Sequence, residues 1–421
     1  MHSTEKVYLS IILIYLAAVL LIDLYAFRGV RLLIGEMKNQ LLRNGIYIFY
    51  WTITSILIVG IIYCLFNIRQ IQMHNPKFLN YLLGAIILLI VPKIIFILFL
   101  GIEDLGYFAF GLYHKLFSGS SAVGEVITRR AFLTQTGAIL ALIPFTSIAY
   151  GIVKGKYDFR VLRKKLSFNN LPKNFNGLKI AIVSDIHIGS FGDNYNAVKK
   201  GIDMVNALEP DVIFFTGDLV NDFAHETNGW LPYLSEFKAK KAKYSILGNH
   251  DYGDYVSWNS VEEKQNNLAK VIEFNKKMGF QILLNESVKM NIDGEEIAII
   301  GVENWGTPPF PQYGDLKKAM NGVEDVPFKI LLSHDPSHWG AEVLNTTNID
   351  ITLSGHTHGM QFGVEIGSIK WSPVQMRYPR WGGLYTEGKQ HLYVNRGFGF
   401  IGFPGRVGMP PEITFIELEK T

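Results

Sequence analysis

Four apolar stretches, residues 7–27, 46–66, 81–100 and 131–153, crowd the first 153 residues of this 421-residue chain. Each has about the 20 residues that a helix needs to cross a ~30 Å hydrocarbon core. Lipid offers no partner for backbone N–H and C=O groups, so these stretches are predicted to be transmembrane helices. One such run could be a buried helix of a soluble fold; four in succession argue for a membrane region over residues 1–153. Composition agrees, with 48% hydrophobic residues, 18% charged residues and a mean hydropathy of +0.17, where soluble domains carry about 25% charge. The same figures exclude a disordered chain. A single cysteine, Cys64, excludes an internal disulfide and a cysteine-built zinc site.

Within this region Pro92 and Lys93 interrupt the third stretch and predict a kink, with Lys93 pairing with another helix or reaching an interface. Asp23, close to the end of the first stretch, reads as interfacial. Residues 101–120 are aromatic and Gly-rich, and either extend the third helix or lie along the interface. Arg28, Arg31, Lys38 and Arg43 follow the first stretch and place that loop in the cytoplasm, which with four spans puts the rest of the chain outside. Lys154, Lys156, Arg160, Arg163, Lys164 and Lys165 argue the other way, and the two sides hold seven and nine Lys/Arg. The run Thr128-Arg129-Arg130-Ala131-Phe132-Leu133 is similar to a twin-arginine export signal, or is an ordinary basic flank. Either reading keeps it cytoplasmic. The expectation is an integral protein of a bacterial inner or cell membrane with an extracytoplasmic C-terminal domain. The six basic residues would attract anionic headgroups, at about 1 kcal/mol each, or form an ordinary basic linker over residues 154–176.

Residues 1–151 hold 11 Lys/Arg and 6 Asp/Glu, and the remainder holds 29 and 31. The pattern also changes there. Over residues 177–421, short β-branched runs at 178–183, 212–215, 244–247, 297–300, 329–332 and 349–353 read as buried strands. Helix-like segments at 197–208, 261–278 and 316–321 lie between them. The alternation predicts an α/β layered domain.

Chemically loaded residues sit where these strands end: Asp185 and His187, Asp218, Asn249 with His250 and Asp251, His334, and His356 with His358. In α/β sheets the carboxyl ends of strands form the ligand crevice, so five endings are predicted to converge. Imidazole and carboxylate donors suit Mn, Fe, Zn or Ni. The set exceeds one tetrahedral ion and suggests a two-metal site, with ions ~3.5–4 Å apart. On extended backbone, residues i and i+2 share a side, which lets both members of Asp185-x-His187 and of His356-x-His358 face a metal.

Asp185-x-His187, Gly217-Asp218, Gly248-Asn249-His250-Asp251, His334 and Gly355-His356-Thr357-His358 together closely resemble the calcineurin-like metallophosphoesterase superfamily over about residues 177–415. The membrane region adds a resemblance to its membrane-associated bacterial branch, with YaeI-like and YkuE-like enzymes and transmembrane metallophosphoesterases. The resemblance implies a sandwich of two mixed β-sheets flanked by helices. It implies that Asp185, His187 and His358 bind a first divalent metal, that Asp218 bridges, and that Asn249, His334 and His356 bind a second. A metal-bridging hydroxide would attack phosphorus, and His250, oriented by Asp251, would protonate the leaving oxygen. Purple acid phosphatases place a metal-binding tyrosine where this chain has Asn221, so no Fe(III)–tyrosinate site is expected.

The spans suggest a phospholipid or lipid-linked substrate with a phosphodiester or pyrophosphate bond. Trp371, Trp381, Phe398, Phe400 and Phe403 either dip into the interface or pack around loops. Beyond residue 165 the chain holds 23 Lys/Arg and 30 Asp/Glu, which disfavours nucleic acid. Two alternatives remain open at this level. One is a UDP-2,3-diacylglucosamine pyrophosphate hydrolase with a cytoplasmic site, and the other is a non-catalytic membrane scaffold or sensor. The oligomeric state is not encoded in any pattern found.

Overall fold

The computed structural model describes the backbone of residues 2–74, 76–117, 124–367 and 369–421, and their side chains apart from residues 2–13, 69, 72–74, 76, 114 and 124–131. The chain divides into two units, Met1–Tyr150 and Gly151–Thr421.

The first unit is built from four long helices: α1 (His2–Ile34), α2 (Gln40–His74), α3 (Pro76–Phe117) and α4 (Gly124–Val153), the last running three residues into the second unit. Among the described residues, Gln40–Ile68, Lys77–Phe117 and Phe132–Tyr157 are long and apolar enough to cross a bilayer. The first expected stretch, residues 7–27, lies partly outside the described side chains, as do those of Arg129 and Arg130. Phe49, Phe66 and Leu105 are exposed, which suits contact with lipid tails. Residues 101–117 extend α3. The helix continues through Pro92, and the break in helical dihedral angles falls instead at Asn67 of α2.

Asp23 does not face outward from the helices. It is buried, pairs with Lys93, and accepts hydrogen bonds from Tyr50 and Thr54, both at 3.0 Å. Lys93 therefore finds its partner on another helix. Burying either charge alone in this environment would cost far more than burying the pair.

The second unit contains strands β1 (Arg160–Phe168), β2 (Lys179–Val183), β3 (Val212–Phe215), β4 (Ala242–Ser245), β5 (Gln281–Ile282), β6 (Glu286–Ile292), β7 (Glu295–Gly301), β8 (Lys329–Leu332), β9 (Ile351–Ser354), β10 (Val364–Ile366), β11 (Ile369–Trp371), β12 (Gly383–Glu387), β13 (Gln390–Val394) and β14 (Glu412–Lys420). One six-stranded sheet has the order β1-β14-β2-β3-β4-β5 and the other β12-β13-β9-β8-β7-β6, while β10 and β11 form a separate hairpin. Both large sheets mix parallel and antiparallel pairs.

Alternation along the strands builds the layers. Ile180 and Ile182 of β2, with Val212 and Phe214 of β3, face a core shared with Ile330 and Leu353 of the other sheet. Ala181, Val183, Ile213 and Phe215 face outward, onto helix Tyr195–Asn206 through Val198, Ile202 and Val205. Those three residues fall on one helical face. The strands are apolar throughout because both faces are covered.

Residues 154–176 are not a linker. Arg160–Phe168 is a full edge strand, parallel to β14 over nine residue pairs. Leu166 and Phe168 are buried, while Arg160, Lys164 and Lys165 are exposed. Its basic residues mask a sheet edge, which hid the strand pattern.

Candidate metal centre

The predicted residues converge where β2, β3, β4, β8 and β9 end. Asp185, His187, Asp218 and His334 are buried, as are Asn249 and His358, and His356 is nearly so. Two groups could each hold a cation: Asp185, His187 and His358; and Asp185, Asp218 and His334. In the first, His358 Nε2 lies 3.2 Å from Asp185 Oδ1 and 3.1 Å from His187 Nε2. In the second, His334 Nε2 lies 3.2 Å from Asp218 Oδ2. Asn249 Oδ1 joins this side, 3.1 Å from His334 Nε2 and 2.8 Å from His356 Nδ1. One oxygen, Asp218 Oδ2, faces both groups, because it is also 3.4 Å from His187 Nε2.

The backbone achieves this differently from the extended geometry that the spacing suggests. Asp185, His187, Asp218, His356 and His358 all have positive φ, between 48° and 73°. Each lies just past its strand, and a left-handed residue turns the side chain back over the sheet end. Non-glycine residues there cost of order 1 kcal/mol or more and concentrate at functional sites. Two glycines allow the close approach. A Cβ on Gly355 would stand 1.9 Å from Ser184 Oγ, and one on Gly248 would stand 2.2 Å from Asp218 Oδ1.

Backbone carbonyls fix the histidine tautomers. His187 Nδ1 donates to Val220 O at 3.1 Å and His334 Nδ1 to Thr216 O at 2.7 Å. Each leaves Nε2 for the site, the arrangement expected of a metal ligand. Behind His358 lies Arg406, fully buried, with Nη2 3.2 Å from His358 Nδ1 and its other contacts to the carbonyls of Arg396, Gly397, Gly399 and Met409. Burial lowers this guanidinium to about 9. Arg406 carries no motif spacing in the sequence, and neither does Tyr378, whose hydroxyl is 2.8 Å from His356 Nε2.

Burial works to raise the Asp185 carboxyl, but His358 and His334 overcome it and hold the group well below its ordinary range. Asp218 behaves alike beside His334, His250 and His187. Burial holds His187, His356 and His358 low and hence neutral. Only His334 is raised, to about 10, because Asp218 and Asp185 outweigh its burial. Two buried carboxylates thus share the site with the His334 imidazolium, Arg406 behind His358, and the imidazole nitrogens of His187, His356 and His358. Carboxylate and imidazole donors gathered this closely fit divalent ions of the Mn, Fe, Zn or Ni class.

His250 and Asp251 lie beside this cluster. The His250 backbone N–H donates to Asp218 Oδ1 at 2.9 Å, and its Nδ1 donates to Asn221 O at 2.6 Å. Burial lowers the ring to about 4 despite Asp218. Asp251 does not orient it. Its carboxylate accepts the backbone N–H groups of Asp218, Leu219, Val220 and Gly248, at 2.9, 2.8, 3.3 and 2.9 Å. Asn221, at the purple-phosphatase tyrosine position, turns its side chain to Ser190. Of the aromatic residues singled out in the C-terminal loops, Trp381, Phe398 and Phe400 are buried, Phe403 is half-buried and Trp371 is exposed.

Residues 178–360 match the family described as Calcineurin-like phosphoesterase. Residues 9–156 match one described as Probable Calcineurin-like phosphoesterase, transmembrane domain. The chain is 31% identical over 306 residues to the "Uncharacterized metallophosphoesterase YkuE" of Bacillus subtilis, covering 70% of this chain and 99% of that protein. It is 28% identical over 389 residues to the "Transmembrane protein with metallophosphoesterase domain" of Danio rerio, covering 88% and 80%. It is 27% identical over 298 residues to the "Phosphodiesterase YaeI" of Escherichia coli, covering 70% and 100%.

Proposed function

Because the chain belongs to the calcineurin-like metallophosphoesterase family, we propose that it is a two-metal enzyme cutting a phosphodiester or pyrophosphate bond in a lipid or cell-envelope substrate. The coarser activity, hydrolysis of phosphoric esters by a membrane-associated protein, follows from that membership and from the matching transmembrane domain. The observation that carries the two-metal reading is Asp218 Oδ2, which lies within 3.4 Å of both His187 Nε2 and His334 Nε2.

Asp185, His187 and His358 would hold one divalent ion of the Mn, Fe, Zn or Ni class. Asn249, His334 and His356 would hold a second, with Asp218 between them. Such ions, when bound, acidify water and neutralise phosphoryl oxygens. The protein's own part is then positional. The carbonyls of Val220 and Thr216 keep Nε2 of His187 and His334 facing inward. Asn249 is itself placed by a 2.8 Å hydrogen bond to Tyr255.

His250 supplies the proton. Its Nδ1–H is committed to Asn221 O, so Nε2 is free for chemistry. Burial disfavours the charged ring, and an arriving phosphate anion favours it. Nε2 would then take up a proton from solvent as the substrate binds and pass it to the leaving oxygen, returning the ring to its neutral form. The similarity to a phosphodiesterase, YaeI, supports a diester over a monoester. The bilayer tether supports a lipid-linked leaving group, and the extracytoplasmic placement of the domain belongs to the same proposal.

The test is hydrolysis of bis(p-nitrophenyl) phosphate by the purified full chain, after chelation and after manganese is restored. The proposal expects turnover that disappears on chelation, returns with metal, and is lost in Asp218→Asn. Turnover indifferent to chelation would overturn it.

A further inference from the structure

The hairpin β10–β11 is built inside out. Its register pairs Val364 with Trp371, Glu365 with Lys370 and Ile366 with Ile369. Side chains alternate along a strand, so the charged pair takes one face and the two apolar pairs the other. In a water-soluble domain the apolar face would turn inward. Here the charged pair makes the contacts to the rest of the domain, although Glu365 stays 41% exposed. Glu365 pairs with Arg396, and the Lys370 ammonium donates to Gly382 O and stands 4.7 Å over the Trp381 ring. The apolar face is left exposed, Ile366 at 71% and Ile369 at 63%, with Val364 and Trp371 beside them. Met360 and Met376, on the flanking turns, are exposed as well.

Chain connectivity says what lies next to this face. The apolar helical segment Phe132–Tyr157 ends only two residues before β1 begins at Arg160. The second unit thus follows the apolar segment in the chain with no spacer. Its own contacts bring the hairpin to that end. Arg406 N donates to Gly151 O, in the last turn of α4, at 3.1 Å. The next residue, Val407, accepts from Gly363 N at 2.9 Å, and Gly363 opens β10. The same hairpin is fastened to the site, because Ser372 Oγ donates to Gly359 O, beside His358, at 2.8 Å.

We propose that the β10–β11 hairpin seats in the interfacial layer of the bilayer, through Val364, Ile366, Ile369 and Trp371, and so holds the metal centre at headgroup depth. Half-exposed aromatic and aliphatic side chains flanked by a basic residue, here Arg377 after Met376, suit that layer. The consequence deepens the lipid reading of the proposed function and rests on it. A headgroup phosphoester would reach Asp218 and His250 without its acyl chains leaving the membrane.

The test needs no turnover. In a Cys64→Ala background, single cysteines replace Ile366, Ile369 or, as a control on the exposed β12–β13 turn, Lys389. Each is spin-labelled in proteoliposomes of phosphatidylcholine and phosphatidylglycerol. The proposal expects labels at 366 and 369 to collide more with oxygen than with a water-soluble nickel chelate, and the label at 389 to do the reverse. Equal aqueous collision at all three positions would overturn it. So would labels at 366 and 369 shielded from both reagents, which would mean a protein partner covers the face.

A second measurement guards against a misfolded background. With Cys64 intact, lipids brominated near the carbonyl should quench less emission after Trp371→Phe, by roughly the share of one of the seven tryptophans. Unchanged quenching counts against the proposal. Failure of either test leaves metal-dependent hydrolysis of the soluble ester untouched, so the two readings fail separately.

Discussion

Asp251 accepts the backbone N–H of Asp218 at 2.9 Å, although in sequence it adjoins His250. Its two oxygens gather four N–H groups and hold the left-handed turn that presents the Asp218 carboxylate. Asp251→Asn would set an amide NH2 against two of those donors. We expect a loss of roughly 1–3 kcal/mol in stability and about 10–100-fold in metal affinity. Thermal melting and metal titration of the solubilised chain would show both. A variant with normal melting and metal affinity but slow turnover would instead place Asp251 in the proton relay.

Asp218→Asn removes the oxygen that faces both histidine groups. Metal content per chain should fall, measured by elemental analysis after gel filtration. Turnover should fall by more than the ~100-fold typical of a supporting residue. Excess manganese should restore it only in part, because the missing oxygen is itself a ligand.

His250→Ala leaves every proposed ligand in place. Metal content should stay at the wild-type level while turnover falls about 10²–10⁴-fold. An ester with a more acidic leaving group needs less protonation and should lose less. Equal losses on good and poor leaving groups would remove His250 from the proton-donor role.

Asp222 makes a prediction about pH. Burial, with Glu226, Asp218 and Asp254 nearby, raises its carboxyl from 3.8 to about 8, and its Oδ1 is buried without a hydrogen-bond partner. Between those values the unfolded chain has released a proton that the native chain keeps. The native state binds more protons, so this group lowers stability as pH rises, by at most about 1.4 kcal/mol per pH unit. Asp222→Asn should therefore melt higher than wild type at pH 8 and little differently at pH 4. A gap that does not widen with pH would refute the assignment.

The sequence made the site legible because its chemistry is concentrated at strand ends. Strands β3 and β8 lie on the residues where apolar runs placed them, and the helix expected at 197–208 spans Tyr195–Asn206. What escaped depends on three-dimensional neighbours. β1 reads as a basic linker because its partner, β14, is some 250 residues away and covers one edge only. Asp251 appears to serve its neighbour until the backbone of residues 218–220 folds over it. Asp23 looks terminal in its helix until Lys93 arrives from α3. Arg406 gives no signal at all, since its partners besides His358 are carbonyls, which every residue has.

The proposed ligands divide between the sheets: Asp185, His187, Asp218 and Asn249 follow strands of one, and His334, His356 and His358 follow strands of the other. A cation held by both sets is a rivet across the seam. Pulling the sheets apart would first have to break metal–ligand bonds, so the loaded protein should resist proteases far longer than the stripped one at equal temperature. The metal supply of the compartment would then govern how long each copy survives as well as how fast it works.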